Sequence, residues 1–259
     1  YNMAKKYKYV FLSRPRRFGK SLLSSTLNSY FEGREELFKG LAIETLEKEW
    51  TEYPVLHFDL STFKNCDLSL FPEKFDMQLR RFEKQFGIED MRKSAGNRLT
   101  QLIEQAESMT GRKVVIIIDE YDAPLLDVLH DETKLEAVRT IMQEFYAPIK
   151  ANSSHIHFTF ITGITKFSQL SIFSTINNLT NISMDPEFST ICGITKDELD
   201  TVLKEDIALL ASKNHVSFER MRELLRENYD GYHFSREGED IFNPYSLMRS
   251  FAAGFIDNY

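Results

Sequence analysis

Two short groups of residues in this sequence have the types and the spacing needed to bind a nucleoside triphosphate. The first is the basic stretch at 13–22, which contains Gly19-Lys20-Ser21. In such a loop the glycine lets the backbone approach a phosphate, the lysine reaches the β- and γ-phosphates, and the serine hydroxyl binds Mg²⁺. The sequence therefore predicts phosphate and metal binding at these three residues. The rest of the predicted nucleotide-binding loop consists of Arg16, Arg17, Phe18 and Leu22.

This loop departs from the general phosphate-binding pattern, G-x-x-x-x-G-K-[ST], at Arg14, where the pattern has glycine. A bare Gly-Lys-Ser also occurs by chance, so the alternative interpretation is a basic loop before an ordinary helix. The flanking residues favour the nucleotide, because a strand-like apolar run at 7–12 precedes the loop and a helix-like run at 22–31 follows it. A strand, a tight loop and a helix N-terminus direct backbone N–H groups at a bound anion.

The second group is Asp119-Glu120, which follows the continuous β-branched run at 114–118. Such a run is typical of a strand buried on both faces of a parallel sheet. Asp119, at the tip of this strand, is predicted to face Mg²⁺ through water, and Glu120 to polarise the attacking water as the catalytic partner of Lys20. Asp122 is a second candidate for the base. An acidic pair after a strand can otherwise be a solvated loop or a helix N-cap, but both motifs in this order favour the nucleotide.

Nine segments of the sequence also resemble the bacterial AAA-ATPase-like family, and together they span nearly the whole chain. They are 14–22 (RPRRFGKSL), 30–33 (YFEG), 53–55 (YPV), 118–122 (IDEYD), 162–166 (TGITK), 171–174 (SIFS), 177–179 (NNL), 229–232 (YDGY) and 243–247 (NPYSL). The loop of that family itself has arginine in place of the first glycine, so Arg14 fits the family although it departs from the general motif. The resemblance implies a P-loop ATPase related to AAA and STAND ATPases, with ATP as the nucleotide.

The resemblance also implies the fold class. We expect an α/β protein with a three-layer α/β/α P-loop core, a mainly parallel sheet and a small helical lid, divided into an ATPase core at 1–194 and a lid at 195–259. In related ATPases the strand predicted at 155–162 lies between the first and third strands, and its last polar residue, here Thr162, senses the γ-phosphate. The equally favoured alternative is that the Thr162 hydroxyl caps the next turn. By the same analogy, the turn at 229–234 is either a lid element near the nucleotide or a helix stop at Gly231.

Hydrophobic periodicity and capping residues predict the remaining elements. We expect a strand at 53–60, helices at 71–87, 99–109, 217–228 and 245–253, a helical connection at 37–50, and a last strand between 180 and 191. Thr133 and Thr195 are each followed three residues later by glutamate, which predicts capping boxes at the starts of helices at 133–149 and 195–212. The Ser-, Thr- and Asn-rich segment at 167–179 is interpreted as a surface loop or short helix.

Composition limits the other function classes. The net charge of −7 argues against nucleic-acid binding by the whole surface, although seven basic residues lie within the first twenty positions. No apolar run approaches a membrane span, and the N-terminal residues lack the apolar stretch of a signal peptide. The two cysteines show no pairing or metal spacing and favour a cytoplasmic protein. Because the chain begins with Tyr1, we expect a piece of a longer protein.

Three functions follow from these observations. The first is a cytoplasmic ATPase that uses Mg²⁺ and ATP to drive a conformational or regulatory switch, with a low intrinsic rate. The second is a nucleotide-binding interaction module with little hydrolysis, because no arginine stands between residues 151 and 210 to neutralise charge on the transferring phosphoryl group. The third is the motor or regulator of a nuclease, since members of the family often carry a nuclease-like domain after the ATPase. A partner, which includes a second copy of the chain, or a downstream domain is the expected source of the arginine, and Arg16 and Arg17 inside the loop are the alternative source in cis.

Overall fold

The computed structural model describes residues 1–89, 94–165 and 179–257. The chain divides into two compact units: unit 1 contains Tyr1–Ser13 and Ser21–Asn181, and unit 2 contains Arg14–Lys20 and Ile182–Tyr259. The predicted division into an ATPase core at 1–194 and a lid at 195–259 stays a prediction. The segment interpreted as a surface loop at 167–179 lies, except for its last residue, outside the described residues.

Unit 1 is built on a five-stranded, all-parallel sheet, which confirms the predicted α/β fold. The order is β2-β3-β4-β1-β5, so β4 lies between β3 and β1 as expected. Every residue of β3 is buried, and this double-sided burial explains why its sequence is a continuous apolar run. The strands are β1 (Tyr9–Ser13), β2 (Val55–Asp59), β3 (Val114–Asp119), β4 (Ile156–Gly163) and β5 (Thr180–Asn181).

The register of the sheet aligns the polar residues at the carboxyl ends of the strands. Asp59 at the end of β2 lies opposite Asp119 at the end of β3. Leu12 of β1 lies opposite Thr162 of β4, one residue before the end of each strand. Because parallel strands end at a common edge, the sheet gathers these side chains along one edge of unit 1.

Helices flank the sheet, and the longer ones bury an apolar face in the core. The apolar positions of the helix predicted at 71–87, which are Phe75, Leu79, Phe82 and Phe86, are all buried in the core. Helix α5 begins after its N-cap Ser94 and ends at Gly111, whose left-handed conformation is typical of a helix C-terminus. The helices of this part of the chain are α1 (Asn2–Lys6), α2 (Lys20–Phe31), α3 (Ile43–Leu46), α4 (Phe71–Gln85), α5 (Ala95–Thr110), α6 (Ala123–Leu126) and α7 (Glu132–Ala151).

Four of the helix predictions are wrong in detail. Helix α5 begins at Ala95, four residues earlier than predicted, because the Ser94 hydroxyl accepts the Asn97 N–H and caps it. The connection at 37–50 is a 3₁₀ turn at Glu35–Phe38 and the short α3, because Gly40 between them has φ +80° and cannot continue a right-handed helix. Helix α7 begins at Glu132, one residue earlier than predicted, because the Asp131 carboxylate accepts the Lys134 N–H and caps the helix in place of Thr133. The helix predicted at 195–212 is two helices, since the backbone at Leu203 leaves the helical conformation.

Unit 2 contains the C-terminal helices α8 (Lys196–Thr201), α9 (Lys204–Lys213), α10 (Phe218–Tyr229) and α11 (Pro244–Ala253). The capping box predicted at Thr195 is confirmed, and Ser217 and Asn243 cap α10 and α11, since each of these three residues accepts a backbone N–H three residues on. A separate apolar core, which includes Leu199, Ile207, Leu210, Met221, Leu225 and Leu247, packs these helices together. Among the described residues, no helix is long and apolar enough to cross a membrane.

Candidate functional site

The side chain of Ser21 and the carboxylate of Asp119 lie close enough to interact in unit 1. Ser21 is the second residue of α2 and is exposed, whereas Asp119 ends β3 and is 3% exposed. Burial raises the pKa of the Asp119 carboxyl, and the charges of Asp59 and Glu120 act in the same direction, while the hydrogen bonds from Ser21 and from the Glu120 N–H oppose the rise. Both groups offer the oxygen ligands that Mg²⁺ prefers, so these two residues fit the predicted metal.

Glu120 lies directly after β3 in an unusual backbone conformation. Its φ of +53° is in the left-handed region, which glutamate rarely adopts, and its N–H donates to Asp119 Oδ1 at 3.0 Å. Its side chain is one-quarter exposed and forms an ion pair with Lys64. Backbone strain of this kind is concentrated at functional sites, which is consistent with a role for this carboxylate.

Asp122, the second candidate for the base, is buried and fully engaged. Its Oδ2 accepts the N–H groups of Ile164 and Thr165, at 3.0 and 2.7 Å, and the Thr165 hydroxyl at 2.7 Å. The Asp122 carboxylate therefore fixes the chain that follows β4. With three donors on one oxygen, the Asp122 carboxylate has the geometry of a structural acceptor, and the choice of Glu120 as the base stays a prediction.

The Thr162 hydroxyl donates to the Leu12 carbonyl at 2.8 Å, and its side chain is fully buried in the sheet. This bond joins β4 to β1, so the hydroxyl hydrogen is used between strands and not in the turn that follows. The role of Thr162 as a sensor of the γ-phosphate stays a prediction.

The predicted nucleotide-binding loop belongs to unit 2 as far as Lys20, which begins α2. Gly19 has φ +72°, a conformation that favours glycine, and a Cβ added there would meet no atom within 4 Å. The Lys20 ammonium donates to the Pro15 carbonyl at 2.9 Å. Arg16 and Arg17 are exposed, and the guanidinium of Arg17 lies over the Tyr245 ring at 4.7 Å. Beyond the loop, Leu22 in α2 is 71% exposed.

Arg14 and Phe18 tie this loop to the rest of unit 2. The buried guanidinium of Arg14 donates to the carbonyls of Ser183 and Phe188, both at 2.8 Å, and lies over the Phe234 ring at 4.1 Å. Burial lowers the pKa of Arg14 to about 10. The ring of Phe18, also buried, packs edge-on against Tyr232 and Phe234, with centroids 4.7 and 5.6 Å away. The turn at 229–234 therefore contacts the loop.

A family model described as "Predicted AAA-ATPase" matches residues 1–173, two-thirds of the chain. The chain belongs to the AAA-ATPase-like family. Its sequence is also 34% identical over 244 residues to the protein named "Uncharacterized protein in vnfD 5'region" from Azotobacter chroococcum mcd 1. That alignment covers 94% of this chain and 45% of the relative, so the chain spans less than half the length of that protein.

Two contacts of this AAA-ATPase-like chain are not predicted by its motifs. The first is the pairing of Lys64 with Glu120; the available signal is that Lys64 follows the strand predicted at 53–60, which could be expected to neighbour the Asp119 strand. The second is the role of Arg14 as an anchor, for which the arginine in the family's loop is the only signal. Among residues 1–89, 94–165 and 179–257, no group of three or more His, Cys, Asp or Glu side chains could hold a metal ion. The predicted metal ligands therefore remain Ser21 and Asp119.

Proposed function

We propose that this member of the AAA-ATPase-like family binds ATP with Mg²⁺ and hydrolyses it at a low intrinsic rate to drive a conformational or regulatory switch. The observation that carries the proposal is the proximity of Ser21, at the start of α2, to the buried carboxylate of Asp119 at the end of β3. A hydroxyl and a carboxylate so placed are the pair expected to hold Mg²⁺ in a P-loop ATPase. The adenine preference is supported only by the family.

Each residue has a distinct role in the proposed reaction. The Lys20 ammonium and the N–H groups at the start of α2 bind the phosphates, and the positive end of the helix favours the anion. Ser21 and Asp119 hold the metal ion, which when bound neutralises charge on the phosphate oxygens. Glu120 orients a water molecule and accepts its proton. Gly19 supplies the backbone conformation that the loop requires.

A second candidate function is a nucleotide-binding interaction module with little hydrolysis. It is favoured by the ion pair between Lys64 and Glu120, because a carboxylate already bound to an ammonium is a poor proton acceptor. In this version ATP occupancy itself is the signal. The partner is a second copy of the chain, another protein or a nuclease-like domain that follows the ATPase, and this chain alone has no role in cutting nucleic acid.

Binding and turnover, measured in parallel, test both functions. Lys20→Ala is expected to weaken the binding of a fluorescent ATP analogue by at least about tenfold, because it removes a charged hydrogen-bond donor to phosphate. Glu120→Gln is expected to bind ATP normally and to lose phosphate release, since an amide keeps the shape but cannot act as a base. Lys39→Ala, an exposed lysine before α3, is the matched control and should change neither quantity.

Three results distinguish the outcomes. Equal ATP affinity in Lys20→Ala and the parent chain would refute the nucleotide site. Tight binding with no phosphate release in the parent chain would favour the interaction module. Normal phosphate release in Glu120→Gln would exclude this glutamate as the base while leaving an ATPase.

A further inference from the structure

Lys64 and Glu120 are brought together by the sheet of unit 1. A 3₁₀ turn at Leu60–Phe63 follows β2, and Lys64 comes directly after it. Because β2 pairs in register with β3, with Asp59 opposite Asp119, the chain leaving β2 runs beside the chain leaving β3. The Lys64 ammonium there forms an ion pair with the Glu120 carboxylate, and the two side chains are 37% and 25% exposed.

The backbone on the Lys64 side is fixed independently of this ion pair. The Lys64 N–H donates to the Ser61 carbonyl at 3.1 Å, and the next residue, Asn65, donates its N–H to the Asp127 carboxylate. Asn65 has φ +52°, a left-handed conformation that asparagine tolerates better than most residues. The lysine therefore extends from a tightly turned segment and not from a loose surface loop, which lowers the entropic cost of holding its side chain at Glu120.

The backbone of Glu120 is also fixed, by its hydrogen bond to Asp119 Oδ1 and by its left-handed φ. Glu120 can therefore exchange Lys64 for another partner only by rotation of its side chain. The Lys64 ammonium takes a lone pair of Glu120 Oε2 and compensates the charge of the carboxylate, and both effects make this carboxylate a weaker proton acceptor toward water.

We propose that Lys64 is a positioning residue that restrains Glu120, and that the ion pair must open before Glu120 can act on water. This inference rests on the proposed ATPase and names the residue that keeps its intrinsic rate low. Lys64 thus lowers the rate of hydrolysis from within the chain. This effect is separate from that of an arginine that a partner would bring to the phosphates.

The test compares Lys64→Met, Glu120→Gln and the double variant with the parent chain. Lys64→Met keeps most of the length of the side chain and removes its charge. We expect it to raise phosphate release at saturating ATP by about two- to fivefold, the range that an exposed ion pair can account for. ATP affinity should not change. The double variant should be as inactive as Glu120→Gln, because Lys64 affects the rate only through the Glu120 carboxylate.

Two further variants separate this role from a structural one. Lys64→Arg preserves a cation for the carboxylate and should keep the rate of the parent chain. Lys134→Met removes the cation beside another carboxylate of unit 1, since the Lys134 ammonium lies 3.4 Å from the carboxylate of Asp131. This variant should leave phosphate release unchanged. A fall in the rate for Lys64→Met would overturn the proposal and give Lys64 a supporting role in the reaction. Equal acceleration by Lys134→Met would also overturn it.

Urea unfolding tests the ion pair independently of turnover. Without nucleotide, the free-energy changes of Lys64→Met and Glu120→Gln should not add up in the double variant, because both remove the same contact. With saturating ATP and Mg²⁺ they should become additive, because the pair has opened. Additivity without nucleotide, or the same coupling with and without it, would contradict the inference. Failure of the proposed function would instead be seen as unchanged ATP affinity in Lys20→Ala.

Discussion

The strand-end carboxylates of unit 1 and the loop of unit 2 are fixed by different kinds of contact. Asp119 and Asp122 accept hydrogen bonds from backbone N–H groups and hydroxyls, all within the first 165 residues. The loop is fixed by the guanidinium of Arg14 and the ring of Phe18, which contact residues from Ser183 onwards. Asp119 and Asp122 are thus held mainly by backbone N–H donors, whereas the loop is held by the long side chains of Arg14 and Phe18.

This difference affects what each region can do. Backbone donors at the end of a sheet are set by strand pairing and move only if the sheet moves. The contacts of the loop are made by a segment remote in sequence, 169 positions away for the bond from Arg14 to Ser183. Changes within the C-terminal helices can therefore alter the loop through Arg14 and Phe18. The donors to the Asp122 carboxylate come from residues 42 and 43 positions away, and the pairing of β3 with β4 sets their place.

A substitution in the carboxylate region should lower the free energy of unfolding more than a substitution in the loop. Asp122→Ala removes the acceptor of three hydrogen bonds at a residue that is 1% exposed, and leaves the donors of Ile164 and Thr165 unsatisfied. We expect a loss of about 3–5 kcal/mol in the free energy of unfolding. Urea titration followed by the fluorescence of Trp50, the single tryptophan and a residue of unit 1, measures it.

Two variants control this experiment. Asp131→Ala removes the N-cap of α7, an exposed carboxylate contact, and should cost only about 1 kcal/mol. Asp122→Asn keeps one oxygen acceptor and should retain ATP turnover. Loss of turnover in a stable Asp122→Asn protein would show that Asp122, and not Glu120, is the base.

A substitution that removes the contacts of the loop should lower the free energy of unfolding by a smaller amount. Arg14→Met keeps the volume of the side chain but removes the donors to the Ser183 and Phe188 carbonyls and the cation over Phe234. We expect a loss of about 2–3 kcal/mol, because the unmade hydrogen bonds are partly offset by the removal of a buried charge. The lowered pKa of Arg14, which reflects that burial, supports the offset.

Hydrogen exchange measured by mass spectrometry follows the two units separately in Arg14→Met. Amides of α9 to α11 should exchange faster, and those of β3 should be unchanged. Arg14→Lys should be nearly as damaging, because an ammonium cannot reproduce the planar fork of the guanidinium. Faster exchange confined to β3 would contradict the assignment of Arg14 as an anchor of unit 2.

The same contrast explains what could be predicted from the sequence. The β-branched run before Asp119 and the strand before the loop each identify a buried parallel strand, because period and residue type reflect burial directly. The confirmed parallel sheet and the caps at Thr195, Ser217 and Asn243 follow from such local signals.

Contacts between residues remote in sequence could not be predicted in this way. The ion pair of Lys64 with Glu120 depends on which strands are neighbours and on the turn after β2. The burial of Arg14 depends on carbonyls near Ser183, which have no signature in side-chain type. The capping box at Thr133 failed for a related reason, since Asp131 also fits the cap and only the fold decides between them.

The smallest predicted effect has the opposite sign and concerns the carboxylate of Asp119. Its pKa is raised by burial and by the charges of Asp59 and Glu120. A carboxyl with a raised pKa in the folded state stabilises the fold fully only below its unfolded pKa, and that stability is lost as the pH rises through the folded pKa. At neutral pH the ionised Asp119 is therefore a cost. Asp119→Asn removes this cost while keeping an acceptor for the Ser21 hydroxyl.

We accordingly expect Asp119→Asn to raise the urea midpoint slightly at pH 7.5, and the gain to shrink as the pH is lowered toward the ordinary carboxyl range. The variant should also lose the extra stabilisation that Mg²⁺ adds in the presence of ATP, because the carboxylate is the proposed metal ligand. Asp131→Asn, which keeps a good N-cap in α7, is the matched control and should change neither quantity. A destabilised Asp119→Asn protein at pH 7.5 would mean that the Ser21 and Glu120 hydrogen bonds outweigh the burial of the charge. The carboxylate region would then be stabilised by the same charge that it offers to the metal.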